Sequence, residues 1–351
     1  MKRADFEFQL PEELIALRPT PEREGARLLV VHPDGRLEHR QFRDLVDYLN
    51  PQDILVVNDS RVLPAQLLGT RLPRQEGGPS ARIALTLHTR SGPDRYRAFA
   101  RPARRLQAGD RLVLGEGLTA SVEERADAEI ALKFDLAGAA LDRRLEREGH
   151  MPLPPYIASR RPPDVQDRTD YQTVYADRSG SVAAPTAGLH FSEALLARLA
   201  EKGVGRADIT LHVGPGTFLP VTADDPAQHK MHPEWAEITE PAATRINQAR
   251  KAGGRIAAVG TTALRTLESA VEPDGAVHAF EGETDIFITP GHVFRSAELL
   301  VTNFHLPGST LFMLVCAFSG TAVMQRAYAE AIAAGYRFYS YGDACLLLRA
   351  R

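Results

Sequence analysis

The sequence predicts an α/β protein: a large layered α/β domain with a small antiparallel β-barrel domain inserted into it. Three features predict it. Short alternating apolar stretches, punctuated by glycines and charges, crowd residues 70–150. After residue 157 helical and extended patterns alternate, as in a sheet layered by helices. Between them stands Met151-Pro152-Leu153-Pro154-Pro155-Tyr156-Ile157, which can continue neither a helix nor a central strand. These features assign residues 1–68 plus 152–351 to the large domain and 69–151 to the barrel.

The elements follow in order. Phe42 to Leu49 reads as a short helix stopped by Asn50-Pro51, and Ile54 to Val57 as an apolar strand ended by Asn58-Asp59-Ser60. Five barrel strands are expected at Ile83–Leu87, Tyr96–Ala100, Asp110–Leu114, Leu118–Val122 and Glu129–Phe134, then a charged helical turn at Leu141–Gly149. Ser181–Ala184 is short and small-residued. Ser192 can cap a helix with Leu195, Leu196 and Leu199 on one face, stopped at Gly203. Ile209-Leu211-Val213 alternates like a strand. Residues 241–252 form a helix, Arg255–Val259 a strand, and Thr262 opens a helix through Ala270. Asp285–Ile288, Leu299–Val301 and Arg337–Tyr341 are read as further strands, and 310–334 as a helix broken near Gly320.

The composition is that of an ordinary globular chain, 44% apolar and 25% charged over 351 residues, long enough for two domains. The net charge of −3 neither supports nor excludes a nucleic-acid partner, since binding depends on local patches. Basic residues do cluster, at Arg101, Arg104, Arg105 and Arg111, at Arg143, Arg144 and Arg147, and at Arg160, Arg161 and Arg168. One cluster alone reads as a solvated face; three along one stretch weigh evenly towards phosphate contact. Cys316 and Cys345 form no CxxC pair, so neither a disulfide framework nor a zinc cluster is implied, and the reducing cytoplasm fits. The N-terminus meets acidic residues at once and lacks an apolar signal region. The longest apolar run, Leu311–Phe318, suits a buried element rather than a membrane span.

Chemistry is expected in polar loops at strand ends, where open α/β sheets bind ligands. Pro185, Thr186, Ala187 and Gly188 form a small-residue turn before His190, Phe191 and the Ser192-capped helix; such a turn lets a ligand reach the backbone. His212, Gly214, Gly216 and Thr217 surround a Gly-Pro-Gly reversal. His229, Met231, His232, Glu234 and Trp235 form a third group. Its two histidines lack an acidic or thiol partner at zinc spacing, so no metal is expected. Thr261 and Arg265 lie in a strand–turn–helix unit lacking both G-x-G-x-x-G and the Walker pattern. Asn303, His305, Pro307, Gly308, Ser309 and Thr310 make the richest loop. Asp343 follows Tyr341-Gly342, and Asp59 and Arg61 lie after the first apolar strand.

Taken together, Asn58-Asp59-Ser60-Arg61-Val62, Pro152 to Ile157, Tyr171 to Ala176, Ser181 to Phe191, His212 to Phe218, His229 to His232, Thr302 to Thr310 and Ser340 to Ala344 resemble the bacterial S-adenosylmethionine:tRNA ribosyltransferase-isomerases. The resemblance runs from about residue 3 to 347, in order. Ser60 stands where threonine is common and keeps the hydroxyl; Gln66 stands where arginine is common.

The resemblance implies a large α/β domain with an inserted barrel. It also implies a reaction in queuosine biosynthesis. The ribosyl part of S-adenosylmethionine is transferred and isomerised onto 7-aminomethyl-7-deazaguanine at the tRNA wobble position, leaving epoxyqueuosine-tRNA, adenine and methionine. S-adenosylmethionine is then a cosubstrate, the tRNA anticodon region the partner, and a cytoplasmic monomer the expected form. The chemistry calls for acid–base groups near the sulfonium, and His190, His305, Asp343 and Asp59 are the candidates. An ordinary methyltransferase is the nearest rival, but no Gly-rich strand–helix turn with a following acidic residue is found. An RNA-binding module without turnover would favour basic and aromatic surfaces over clustered His, Asp and Asn.

Overall fold

The computed structural model describes residues 1–214 and 224–349. In chain order its strands are β1 (Arg27–Val31), β2 (Leu37–Gln41), β3 (Ile54–Asn58), β4 (Ser60–Val62), β5 (Gln66–Arg71), β6 (Ala81–Gly92), β7 (Arg95–Arg101), β8 (Arg111–Leu114), β9 (Leu118–Ala126), β10 (Glu129–Phe134), β11 (Arg178–Ser181), β12 (Gly205–Leu211), β13 (Glu234–Ile238), β14 (Ile256–Val259), β15 (Phe280–Thr284), β16 (Leu299–Asn303) and β17 (Ala344–Leu348). Its α-helices are α1 (Leu45–Tyr48), α2 (Gly138–Glu148), α3 (Pro155–Ala158), α4 (Asp167–Asp170), α5 (Glu193–Glu201), α6 (Glu240–Lys251), α7 (Gly260–Ser269), α8 (Thr310–Ser319) and α9 (Thr321–Ala333).

The chain forms two compact units, 1–60 with 172–178 and 185–351, and 61–171 with 179–184. Sequence texture draws the borders at 68/69 and 151/152. The smaller unit takes in more chain at both ends, because Gln66 and His150 exchange backbone hydrogen bonds and Arg168 donates to the Gly149 carbonyl at 2.7 Å.

In the larger unit nine strands form one mixed sheet, ordered β15-β13-β12-β3-β14-β16-β17-β1-β2. β12, β3, β14 and β16 run parallel, while β17 is antiparallel to β16 and parallel to β1. Side chains alternate across the central strands. Ile54, Val56, Ile256, Ala258 and Leu300 join the core under α6, α7, α8 and α9. Leu55, Val57, Ala257, Val259 and Val301 join the core with Phe42, Phe191 and α5. Burial on both faces explains the continuous apolar runs. Ser192 caps α5 by accepting from Leu195 N, as its sequence position predicts. α8 and α9 bend by 114° at Gly320, whose φ is +90°; no single described helix is long and apolar enough to cross a membrane.

The smaller unit holds a closed six-stranded barrel, ordered β10-β7-β6-β5-β8-β9. Five of these strands are legible in the sequence. The sixth, β5, precedes the Gly/Pro loop and closes the ring between β6 and β8. Two expected strands are absent. Residues 285–288 are irregular, with Ile286 N donating to Thr284 Oγ1 at 3.4 Å, and the strand is instead β15 just upstream. Residues 337–341 make only an isolated bridge at Phe338, since Tyr339 adopts φ +74° and turns the chain towards Asp343.

Candidate active site

The carboxyl ends of β12, β3, β14 and β16 and the amino end of β17 lie on one edge of the sheet. That edge gathers His212, Asp59, Gly260, Asn303 and Asp343 as the residues just at or beyond each strand. Val57 pairs with Val259, which makes Asp59 and Gly260–Thr261 neighbours at adjacent strand ends. Asn303 pairs with Ala344, which sets Asp343 beside the end of β16.

A short 3-10 turn, Thr186–His190, closes over β16. The Thr186 hydroxyl donates to Asn303 Oδ1 at 2.8 Å, which orients the amide, and Asn303 Nδ2 lies 3.3 Å from His190 Nε2. His190 is buried, its ring 5.0 Å from that of Phe42 and tilted 31° to it. Burial pushes its pKa down to about 4, with the Asp343 carboxylate opposing and Arg337 and Arg23 adding to the fall. The imidazole is neutral at pH 7. With Nε2 accepting from the amide, the proton resides on Nδ1.

His305 is equally buried and lowered to about 3 by burial. Its Nε2 meets Thr302 Oγ1 at 2.9 Å, and its backbone N–H donates to the Tyr328 hydroxyl at 3.0 Å. Thr302 and Asn303 are consecutive in β16 and point to opposite faces. The two histidines are therefore anchored on opposite sides of one strand end.

Asp343 is 2% exposed and accepts from Arg27 N (2.9 Å), Arg27 Nε (3.2 Å), Arg27 Nη2 (3.1 Å) and Arg337 N (2.8 Å). Both its oxygens are committed to fixing β1 and the 337–343 loop. Asp59 is half-buried; its Oδ1 accepts from the Thr210 hydroxyl at 2.7 Å, and desolvation raises its pKa.

The Pro185–Gly188 turn is filled from inside. A Cβ at Gly188 would stand 2.1 Å from the Tyr175 hydroxyl oxygen and 2.8 Å from Thr173 Cγ2. The close approach predicted for a ligand is made by Tyr175. Its buried hydroxyl, like that of Thr173, has no hydrogen-bond partner among the described residues. Ala187 is buried, with its Cβ 3.6 Å from where a Cβ on Gly260 would lie, and Phe191 is wholly buried edge-on to Phe42 at 5.0 Å, a packing residue. Tyr175 belongs to the Tyr171–Ala176 motif but is not among the site residues expected from the sequence, and Arg27 has no sequence signal of its own.

Further along the edge, His212 stacks on Trp235 at 5.1 Å, and burial lowers its pKa. Glu234 binds Arg265 Nη1 at 2.5 Å and the Gly214 amide at 2.9 Å, and both side chains of this ion pair are buried. His229 packs edge-on to Phe287 at 5.5 Å, Met231 is half-buried and His232 is exposed. Thr261 is buried in the first turn of α7. Gly216 and Thr217 lie outside the described residues. Gly308 turns at φ +63° against Glu7, while Ser309 accepts from Phe312 N at 3.2 Å and donates to Leu306 O at 2.7 Å, capping α8 ahead of Thr310. Pro307 is half-buried in the same turn.

In the smaller unit Arg101, Arg104 and Arg105 are exposed and form no ion pair among the described residues. Arg160 is also exposed. Arg161 is engaged by the fully buried Asp167 through bonds of 2.8 and 2.6 Å, so it is a structural cation. Arg61 is exposed and 4.0 Å from Glu146. No group of His, Cys, Asp and Glu among the described residues is arranged to hold a metal ion.

The family described as queuosine biosynthesis protein matches residues 3–347. An S-adenosylmethionine:tRNA ribosyltransferase-isomerase of Methylobacterium sp. (strain 4-46) is 58% identical, the match covering 98% of each chain. One of the same name from Parvibaculum lavamentivorans is 56% identical and covers 100% of both. The crystal structure of S-adenosylmethionine tRNA ribosyltransferase from Thermotoga maritima matches with a TM-score of 0.55 and 34% identity, covering 98% of this chain and 100% of that one.

Proposed function

This chain belongs to the queuosine biosynthesis protein family, and from that premise we propose how its residues divide the work of an S-adenosylmethionine:tRNA ribosyltransferase-isomerase. The enzyme transfers and isomerises the ribosyl part of S-adenosylmethionine onto 7-aminomethyl-7-deazaguanine in a tRNA, releasing adenine and methionine. Full-length identity of 56–58% to relatives of that name carries the reading.

The sulfonium acidifies the protons on the carbon beside it, and an unprotonated base must remove one. His190 is our candidate for this step: it is unprotonated at pH 7, its single lone pair on Nε2 takes the proton once the Asn303 amide that donates to it swings aside, and the Asp343 carboxylate favours the imidazolium as it forms. Asp343 is then a positioning group, its lone pairs being spent on Arg27 and Arg337. His305, tied to Thr302 and Tyr328, holds the 304–308 loop and is second choice as a proton carrier. Asp59 offers a carboxylate at the next strand end to balance the sulfonium charge. The α7 and α8 amino ends, with Thr261 and Thr310, serve the methionine carboxylate or an RNA phosphate. We place the enzyme in the cytoplasm with its tRNA, acting as a monomer without a metal.

The test is incubation with S-adenosylmethionine and tRNA carrying the aminomethyl base, followed by nucleoside mass analysis. Adenine and methionine are expected; S-adenosylhomocysteine would mean methyl transfer instead. His190→Ala should abolish single-turnover product, and a wild-type rate in that variant removes His190 from the proton step.

A further inference from the structure

We propose that the smaller unit carries a second RNA-contacting site, a pocket that receives one splayed nucleobase while Arg61 and Arg168 take the phosphates beside it. The proposal rests on the tRNA-modifying reading above.

The pocket encloses about 340 Å³, and its walls include Leu63, Leu87, His88, Tyr96, Leu145 and Glu146, all within this unit. That size lies in the range of ligand sites. A backbone irregularity builds it. The β6–β7 register slips between Leu87 and Thr89, leaving His88 as an extra residue in β6. A bulge re-aims side chains, and here it turns the consecutive residues Leu87 and His88 into one cavity.

His88 is poised for an edge contact. Its side chain is only 8% exposed and its ring packs on Phe99 with centroids 4.8 Å apart and 34° between planes. Nδ1 meets Thr89 Oγ1 at 3.0 Å. Nε2 lies 3.3 Å from Glu129 Oε1, an ion-pair distance, but makes no hydrogen bond among the described residues. Glu129 itself is bound by Arg97 at 2.6 and 3.2 Å. A buried imidazole in the wall of a pocket lined by Leu63, Leu87, Tyr96 and Leu145, its Nε2 making no hydrogen bond among the described residues, suits a flat ligand with a polar edge.

The rim supplies charge. Arg90 is held by Asp142 at 2.9 Å. Glu146 lies 4.0 Å from both Arg61 and Arg168, the outer limit of pairing, and these arginine side chains are 51% and 37% exposed. The exposed Arg61 and the half-buried Arg168, whose Nη2 also donates to the Gly149 carbonyl, share one exposed carboxylate, so the rim keeps an excess of positive charge for the backbone of a single strand. A free aromatic metabolite would use the walls but leave this rim idle.

The experiment uses the full chain and an anticodon stem–loop RNA carrying 2-aminopurine at each loop position in turn. One position should change its fluorescence on binding. Leu63→Trp fills the cavity from its half-buried wall; it should erase that response and weaken binding about tenfold, one lost base contact. Arg61→Ala should lower the slope of log affinity against log salt by about one. Failure of the unaltered protein to bind the hairpin overturns the tRNA reading itself. Binding by the unaltered protein that Leu63→Trp leaves unchanged in affinity and fluorescence overturns the pocket alone. Should thermal melting show Leu63→Trp to be unfolded, His88→Phe decides: it keeps the ring on Phe99 and removes Nε2, and a loss of affinity below about twofold overturns the proposal.

Discussion

Asn303 offers its amide nitrogen to His190 Nε2 across 3.3 Å, with the other end of the amide fixed by Thr186. This makes the protonation state of His190 a property of residue 303. Asn303→Asp replaces a donor with a carboxylate facing the imidazole, which favours the charged ring and raises its pKa from about 4. The acid limb of the single-turnover rate should move up by about one pH unit or more. An unmoved limb would separate His190 from the rate-determining proton transfer.

Two buried neutral histidines also tie stability to pH. The ordinary value is 6.5, while the folded values are about 4 for His190 and about 3 for His305. The unfolded chain therefore binds protons that the folded chain refuses, and stability falls as pH drops from 6.5 towards 4. His190 alone should cost on the order of 3 kcal/mol across that window. Urea unfolding at pH 6.5 and about pH 4 should show a shallower decline in His190→Asn than in the unaltered protein. Parallel declines would contradict this.

Gly188 and Tyr175 form a steric pair, since a methyl at 188 would meet the Tyr175 hydroxyl at 2.1 Å. Gly188→Ala should destabilise the fold by about 1–3 kcal/mol, the usual cost of overpacking. Tyr175→Phe removes the clashing oxygen and should restore part of that loss. A double-mutant cycle on thermal unfolding measures the coupling, and strict additivity would rule out the clash.

Glu234→Gln tests the buried pair with Arg265. Removing one charge leaves the guanidinium uncompensated inside the protein, at a cost of about 3–5 kcal/mol. Chemical denaturation should show it. Glu234→Gln with Arg265→Met should lose less than Glu234→Gln alone, because no buried charge then remains.

What could be seen in the sequence follows from which forces are local. β3, β14 and β16 are apolar runs because both faces of the sheet are covered, and period and length reveal them. β13 and β15 escape notice. Glu234-Trp-Ala-Glu-Ile and Phe280-Glu-Gly-Glu-Thr lie towards the sheet edge, half-buried and rich in carboxylates. The loops at the strand ends were legible as a set. Their inner workings were not, because the partners are distant: Arg27 and Asp343 are 316 residues apart, and Asn303 and His190 are 113. Pro185–Gly188 looks like a ligand cradle in sequence; only the fold shows that Tyr175 occupies the space against Gly188. Arg161 reads as a phosphate ligand until Asp167 is found beneath it.

The reversal of β17 against β16 has a practical side. Because β17 leaves Asp343 beside the end of β16 and travels the other way, Arg349 emerges at the far rim of the sheet, about 17 Å off for a strand of this length. A fluorophore attached at Arg349 would sit at the rim of this sheet opposite Asp59, Asn303 and Asp343, so labelling there should leave those side chains undisturbed.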